Sequence, residues 1–338
     1  MKTLFIGLNW LGDVIISFPA LHAAHQAGHQ ISILTRTNLA QVYSLFPAPA
    51  RLYHLLTDLA WWQQLPLLKT IRSQHFDQII VLPRSWRTAF LSFLCGGKER
   101  IGYPGDGRSI WLSRVPPLPD GWTSLHERDL YQHLISTMGS FPPEGKLPLP
   151  RPLVPDEVTR ILEKFHIPLN VPYAVLAPGA AFGTGKRWPL DRFQELAGRI
   201  VQKYQWNIIA TGSASEKILT RTISGSLGNK GFDLGGKTSL AELATILQNA
   251  RFLVANDSGT MHLGSFLRTP LVVPIGPTDP VRTGPLSPGV RLVKASTDHP
   301  PCRRRECPRG DHQCMNSISV ERIICALADL LQESHQPQ

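Results

Sequence analysis

The stretch "YAVLAPGAAFGTGKRWPLDRFQELAGRIVQKY" (173–204) decides the fold. An apolar run, "YAVLA" (173–177), leads into a segment with three glycines, two alanines and a Lys-Arg pair, and "LDRFQELAGRIVQKY" then repeats apolar residues at helical spacing. That order predicts a strand, a loop and a helix. In such a loop small residues let a ligand approach the backbone, and the helix N-terminus that follows attracts an anion. The segment departs from the GxxxxGK[ST] phosphate loop because Arg187 follows Lys186. Glycine density beside paired cations still points to a phosphate, against the plainer reading of a turn with solvated charges.

The same alternation continues on both sides. Downstream, "WNIIAT" (206–211), "FLVAN" (252–256) and "LVVPI" (271–275) read as strands, with "LAELATILQNA" (240–250) among the helices between them. Upstream, "TLFIGL" (3–8), "ISILT" (31–35), "RLYHLL" (51–56) and "QIIVL" (78–82) read as strands. Between these lie "VIISFPALHAAHQ" (14–26) and "LAWWQQLPLLKTIRSQ" (59–74), whose Pro19 and Pro66 count against long helices. Strand-helix alternation implies parallel sheets, so the expected fold is α/β, with two doubly wound Rossmann-like domains facing a cleft. The Pro-rich segment "FPPEGKLPLPRPLVPDE" (141–157) is the expected linker. Domains are therefore expected at 1–155 and 156–319. A C-terminal segment, 320–338, carries the helix "VERIICALADLLQE" (320–333) and is expected to pack across both.

Composition sets the class of partner. The 338 residues are 42% hydrophobic and carry a net charge of +10, enough for a large core and biased toward an anionic ligand, glycan or surface. Arginines concentrate at 84–114 and 303–309, and the first cluster lacks the aromatic-basic repeat of a single-strand binder. Charge alone does not choose between a nucleic acid, a phosphorylated glycan and an acidic membrane surface, but with no recognisable nucleic-acid module no nucleic-acid partner is expected. Five cysteines do not suggest a disulfide framework. Asp13 interrupts the N-terminal apolar run and no stretch approaches the ~20 apolar residues of a membrane helix, so the expectation is a cytoplasmic chain acting as a monomer. Its basic surface leaves room for peripheral contact with the cytoplasmic face of the inner membrane.

Four strand-end loops could carry chemistry. "GLNWLGD" (7–13) puts Gly12 and Asp13 at a helix start; it is not a GxGxxG, and Asp13 reads either as an N-cap or as a carboxylate at a ligand crevice. "PGAAFGTGKRWP" (178–189) offers Gly179, Ala180, Ala181, Lys186 and Arg187. "TGSASEK" (211–217) places Glu216 where a ribose diol would be bound, or merely where a helix dipole favours a carboxylate. "NDSGTMH" (256–262) opens a further helix with Asp257, Ser258, Gly259, Thr260 and His262, whose amides can cap a phosphate. No DxD-type carboxylate pair is evident, so neither a metal nor another cofactor is expected. His299, Cys302, Cys307 and Cys314 form H-x2-C-x4-C-x6-C, off the usual zinc knuckle, and reduced thiols are the preferred reading. Cys95 and Cys325 lie in apolar segments and are expected in the core.

Together "NWLGDVIISFPALHA", "PGAAFGTGKRWP", "NDSGTMHLGSFLRTPLVVPIGPTDP" and "CRRRECPRGDHQCM" resemble the bacterial ADP-heptose–lipopolysaccharide heptosyltransferases, glycosyltransferase family 9, and look most like the heptosyltransferase II branch. The resemblance runs nearly end to end. It implies a GT-B fold, with acceptor binding in the first domain and donor binding in the second. It also implies inverting transfer without an essential metal, from ADP-L-glycero-D-manno-heptose to the first heptose on Kdo2-lipid A. The family's general base falls on Asp13, its phosphate-binding lysine on Lys186, its ribose-binding glutamate on Glu216, and its NDSG/H segment on Asp257, Ser258, Gly259 and His262. Thr184-Gly185 stands where relatives often have Pro-Ala, which suggests a looser loop. Arg84, Arg87, Arg100 and Arg108, with Gly12, are the acceptor-side candidates, against the reading that the arginines are solvated surface charges. Two other readings stand beside this one: a sister enzyme acting at another core step or with another nucleotide sugar, and a non-enzymatic nucleotide- or nucleic-acid-binding protein.

Overall fold

A computed structural model describes residues 1–56, 61–139, 146–297 and 300–333. Contacts divide the chain into two units: 1–151 with 281–283, and 152–280 with 284–338. The division falls between Arg151 and Pro152, inside the Pro-rich segment, and helix formation resumes at Pro155, whose fixed φ suits a first helical position.

In the first unit β1 (Lys2–Ile6), β2 (Gln30–Arg36), β3 (Ala50–Leu55), β4 (Gln78–Val81) and β5 (Glu99–Ile101) form one parallel sheet in the order β3-β2-β1-β4-β5. Its helices are α1 (Leu11–Gln26), α2 (Ala40–Tyr43), α3 (Leu65–Arg72), α4 (Trp86–Cys95) and α5 (Glu127–Ser136). Helix α1 runs straight through Pro19, because nearly every side chain from Val14 to Ala24 is buried. That burial outweighs the roughly 3 kcal/mol a proline costs a helix interior.

The second unit has helices α6 (Pro155–Lys164), α7 (Leu190–Tyr204), α8 (Lys217–Gly225), α9 (Leu240–Gln248) and α10 (Gly259–Phe266), then α12 (Gln313–Asn316) and α13 (Val320–Glu333). Between them comes α11 (Pro280–Thr283), whose last three residues cluster with the first unit. The strands β6 (Tyr173–Ala177), β7 (Asn207–Ala210), β8 (Gly231–Asp233), β9 (Leu253–Ala255), β10 (Leu271–Ile275) and β11 (Val290–Lys294) form a parallel sheet ordered β11-β10-β9-β6-β7-β8. The central strands β6, β7, β9 and β10 are buried along their whole length, which is why they read as unbroken apolar runs. Helix α13 packs on β10, β11 and α7, with Ile323, Leu327 and Leu330 in the core of this unit. The eight strands read from the sequence are present. The three it did not reveal, β5, β8 and β11, are edge strands with charged ends or only partly buried faces.

Candidate active site

Each sheet has a point where successive connections turn from one direction to the other, and ligands of open α/β sheets bind at the carboxyl ends of the strands there. In the second unit the chain moves from β6 outward to β7 and β8, then returns to β9 and proceeds to β10 and β11. The switch therefore lies between β6 and β9. The loops leaving those strands are the glycine-rich segment and "NDSG".

One side chain ties these two loops together. Asn256, fully buried, donates from Nδ2 to the Pro178 carbonyl (2.7 Å) and accepts at Oδ1 from the Trp188 amide (3.0 Å). It thus clamps both ends of the glycine-rich loop. Trp188 is itself seated by Nε1 donating to the Ile318 carbonyl (2.8 Å) and by edge contact with Phe193. Inside the clamp Lys186 ends a short 3-10 turn, Thr184–Lys186, and its Nζ reaches Asp257 Oδ2 at 2.9 Å, with both side chains largely buried. The lysine read from the sequence as a phosphate contact is therefore paired with a carboxylate here.

Glycines here make room for protein groups. A Cβ on Gly179 would stand 2.1 Å from the Glu216 carboxyl carbon, so that carboxylate lies directly over the start of the loop. Glu216 is buried, and its Oε2 accepts from the Ser213 amide (2.8 Å) and hydroxyl (2.7 Å), which fixes its rotamer. A Cβ on Gly183 would stand 2.1 Å from the Arg305 carbonyl oxygen, and the Gly185 amide donates to that same oxygen at 2.9 Å. Ala180 is buried beside Gly179 and Ala181 is exposed. Ser258 stands at the N-cap position of α10 without a side-chain capping bond, with Gly259 and Thr260 as the helix's first residues and His262 buried one turn on. Among the described residues Ser258 Oγ and Arg187 Nε are buried without a hydrogen-bond partner, polar atoms at the crevice still able to take one.

The first sheet switches between β1 and β4. Asp13 follows β1 as the third residue of α1; Trp10 is the N-cap, so Asp13 is not the capping residue, and its charge favours the helix start. Gly12 is buried just before it. Helix α5 packs on α1 and brings in Tyr131, whose buried phenol is held well above its usual pKa by burial and then by the Asp13 and Glu127 carboxylates. Arg84 follows β4. Its Nη2 binds Glu127 Oε1 at 3.0 Å, and its guanidinium lies 5.2 Å from the Trp122 ring centroid. Glu127 also receives Arg282, one of the three residues that cluster with this unit (2.7 Å).

The remaining arginine candidates separate. Arg108 is fully buried: Nη1 donates to the Pro83 carbonyl (2.5 Å) and Nη2 to that of Val81 (3.5 Å), against Gly102, whose missing side chain leaves the space. Burial, then the charge of Arg84, lowers its pKa to about 10. It is neither a solvated charge nor open to an acceptor. Arg100 is likewise held by backbone, with Nε donating to the Trp111 carbonyl at 2.8 Å and Nη1 to that of Gly97. Arg87 is exposed on α4. Sequence reasoning missed Tyr131, Glu127 and Arg305, because each reaches its loop from another element and leaves no local spacing signal. Asn256 lies within the quoted "NDSGTMH", but no spacing links it to the Pro178 and Trp188 backbone groups that it holds.

The cysteines carry no disulfide among the described residues. His299 lies outside the described residues, and among those described no group of three or more His, Cys, Asp or Glu could hold a metal ion. Cys307 Sγ lies 3.7 Å from Asp311 Oδ1, and burial raises the Cys314 thiol. Cys95 is buried as expected; Cys325 is exposed, because it lies opposite the Ile323–Leu327–Leu330 face of α13.

Comparison with known proteins places this arrangement. The family description "Glycosyltransferase family 9 (heptosyltransferase)" matches residues 65–312. Lipopolysaccharide heptosyltransferase 2 of Escherichia coli K12 is 29% identical over 355 residues, covering 98% of this chain and 99% of that protein. Lipopolysaccharide heptosyltransferase 1 of Pseudomonas aeruginosa PAO1 is 27% identical over 346 residues, covering 96% and 93%. The structure of E. coli ADP-heptose lipopolysaccharide heptosyltransferase II aligns with a TM-score of 0.84 at 23% identity, covering 99% of this chain and 100% of that one. An E. coli heptosyltransferase with ADP aligns at 0.76 and 18% identity, covering 98% and 100%. These alignments establish the GT-B architecture expected from the sequence. With its family description matched over most of its length, the chain belongs to glycosyltransferase family 9, the heptosyltransferases.

Proposed function

We propose that the chain is an inverting glycosyltransferase that moves heptose from ADP-L-glycero-D-manno-heptose to the first heptose of the Kdo2-lipid A inner core, a reading supported by its likeness to proteins named lipopolysaccharide heptosyltransferase 2. The observation that carries the donor half is the clamped crevice between β6 and β9, with Glu216 over Gly179, the Lys186–Asp257 pair and the start of α10. In this reading the Glu216 carboxylate accepts from the ribose hydroxyls. Lys186, Arg187 and the amides of Gly259 and Thr260 meet the diphosphate, whose charge grows as it leaves. Asp13 takes the proton from the attacking acceptor hydroxyl, and Tyr131 stays protonated beside it. Mass spectrometry after incubation with ADP-heptose and a heptose-Kdo2 acceptor should show one added heptose; no addition, or addition to acceptor lacking the first heptose, overturns the assignment.

With cations and helix amides meeting the leaving group, turnover is expected to continue in excess EDTA, and a collapse rescued by Mg²⁺ would contradict that account. The lipid-linked acceptor also suits work at the cytoplasmic membrane face. Trp86, Phe90 and Phe93 share one stripe of α4 and close around Trp111 at 5.8, 4.8 and 5.1 Å. Trp86 and Phe93 are each 42% exposed and Ile110 74%, with Arg87 and Arg114 exposed nearby in the chain. Such a patch fits an anionic bilayer surface. Sedimentation with anionic phospholipid vesicles should drop for Phe93→Ser with Ile110→Ser, and an unchanged bound fraction removes the patch from that role.

A further inference from the structure

We infer that Arg305, in the basic segment far downstream of the glycine-rich loop, is a further phosphate-binding cation of the donor site, beside Lys186 and Arg187. This rests on the donor reading above and deepens it. The backbone of Arg305 is built into the loop: its carbonyl accepts from the Gly185 amide at 2.9 Å, and Gly183 has no room for a Cβ because that same carbonyl would lie 2.1 Å away. The segment is pinned upstream as well, where the Arg303 amide donates to the Pro277 carbonyl (2.8 Å) and the Arg303 guanidinium pairs with Asp279 (3.0 Å). Two glycines that look made for a ligand therefore hold a protein strand that delivers a side chain.

The side chain goes to the same ring as Lys186. Arg305 Cζ lies 5.1 Å from the Phe182 centroid, and Lys186 Nζ lies 5.0 Å from it. Two cations sharing one ring repel, and an anion bound between or beside them relieves that repulsion. Charge balance points the same way. Asp257 already offsets Lys186 at 2.9 Å, so this pair brings little net positive charge to a diphosphate. Within the basic segment Arg303 pairs with Asp279 and Arg309 with Asp311, whereas the Arg305 guanidinium faces the ring and is exposed to solvent. A guanidinium there presents a planar fork to a phosphate, and its hold strengthens as the leaving ADP gains charge.

Calorimetry with ADP, AMP and adenosine on the full-length protein tests the assignment. Arg305→Ala should weaken ADP by about 10- to 100-fold, AMP less, and adenosine not at all, the scale of one charge-assisted phosphate contact. Arg305→Lys should recover part of the loss, and Arg304→Ala should leave ADP binding as in the wild type. Gly183→Ala should reproduce the ADP-selective loss by displacing the Arg305 carbonyl, and adding Arg305→Ala to it should cost little more. Unchanged ADP affinity in Arg305→Ala, or an equal loss for adenosine, overturns the inference. Failure of the wild type itself to bind ADP would instead overturn the donor reading on which it rests.

Discussion

The two sheets place polar residues at matching positions, the loops after β1 and β4 in one and after β6 and β9 in the other, yet hold them by different means. In the second unit the crevice is built from backbone: Asn256 clamps two main-chain groups, Gly179 and Gly183 yield space to Glu216 and Arg305, and α10 begins beside them. In the first unit long side chains do the work, and they divide their charge among protein partners: Arg84 to Glu127, Arg100 to Trp111 and Gly97, Arg108 to Val81 and Pro83. Backbone-built sites leave glycines and helix starts at fixed spacing. Side-chain-built sites leave only composition.

The sharpest break of that comparison is Asp13, a residue of the first unit whose position is fixed by a helix start as the donor loops are. An asparagine in its place would keep the shape and lose the base. Asp13→Asn should lower turnover by about 10²–10⁴-fold while ADP affinity and melting temperature stay near wild type. Near-normal turnover would return Asp13 to a helix-dipole role.

Arg108 tests the opposite half. If its charge serves the fold, Arg108→Ala should lower stability by about 2–4 kcal/mol, through the cavity and the carbonyls of Val81 and Pro83 left unpaired. The acceptor KM of the folded protein should stay put. Denaturant melts with unchanged midpoint, alongside a raised acceptor KM, would make it a ligand contact.

The effect expected at Lys186 is smaller and falls on donor binding. Lys186→Ala takes a cation from the phosphate and also leaves Asp257 without its partner next to the incoming anion. ADP should bind about 10- to 100-fold more weakly. Restoration by a second change, Asp257→Asn, would show that much of the loss is repulsion from the unpaired carboxylate. Unaltered ADP affinity in Lys186→Ala would remove the pair from the donor site.

This contrast also explains which parts of the molecule are legible in its sequence. "YAVLA", "FLVAN" and "LVVPI" are legible because central parallel strands are buried on both faces; β5, β8 and β11 are not, because edge strands tolerate charge and short length. The glycine-rich loop and "NDSG" are legible as a pair of strand-end loops, but which group each glycine admits is not. Gly183 and Arg305 are brought together only by the fold, and no spacing rule links them. The arginines are the least legible. A guanidinium on a flexible stem reaches carbonyls, carboxylates or solvent with equal ease, and only neighbours from other elements decide among them.

The smallest expected effect falls on Arg87, the acceptor candidate that sits exposed on α4. Removing it should leave the melting temperature unchanged, since substitutions at exposed sites usually stay within ~0.5 kcal/mol. If it meets the carboxylates and phosphates of an inner-core acceptor, the contact is water-screened and worth ~0.2–1 kcal/mol, so acceptor KM should rise only about 1.5- to 5-fold with kcat kept. Screening supplies a second handle. The wild-type advantage over Arg87→Ala should shrink as salt is raised from about 50 mM toward about 500 mM, because the Debye length falls well below the separation of loosely held charges. Arg108→Ala should show no such convergence, since its guanidinium is buried away from mobile ions. Salt-independent KM in both variants would place the acceptor's charges against other residues, and the first unit's cations would then serve the fold alone.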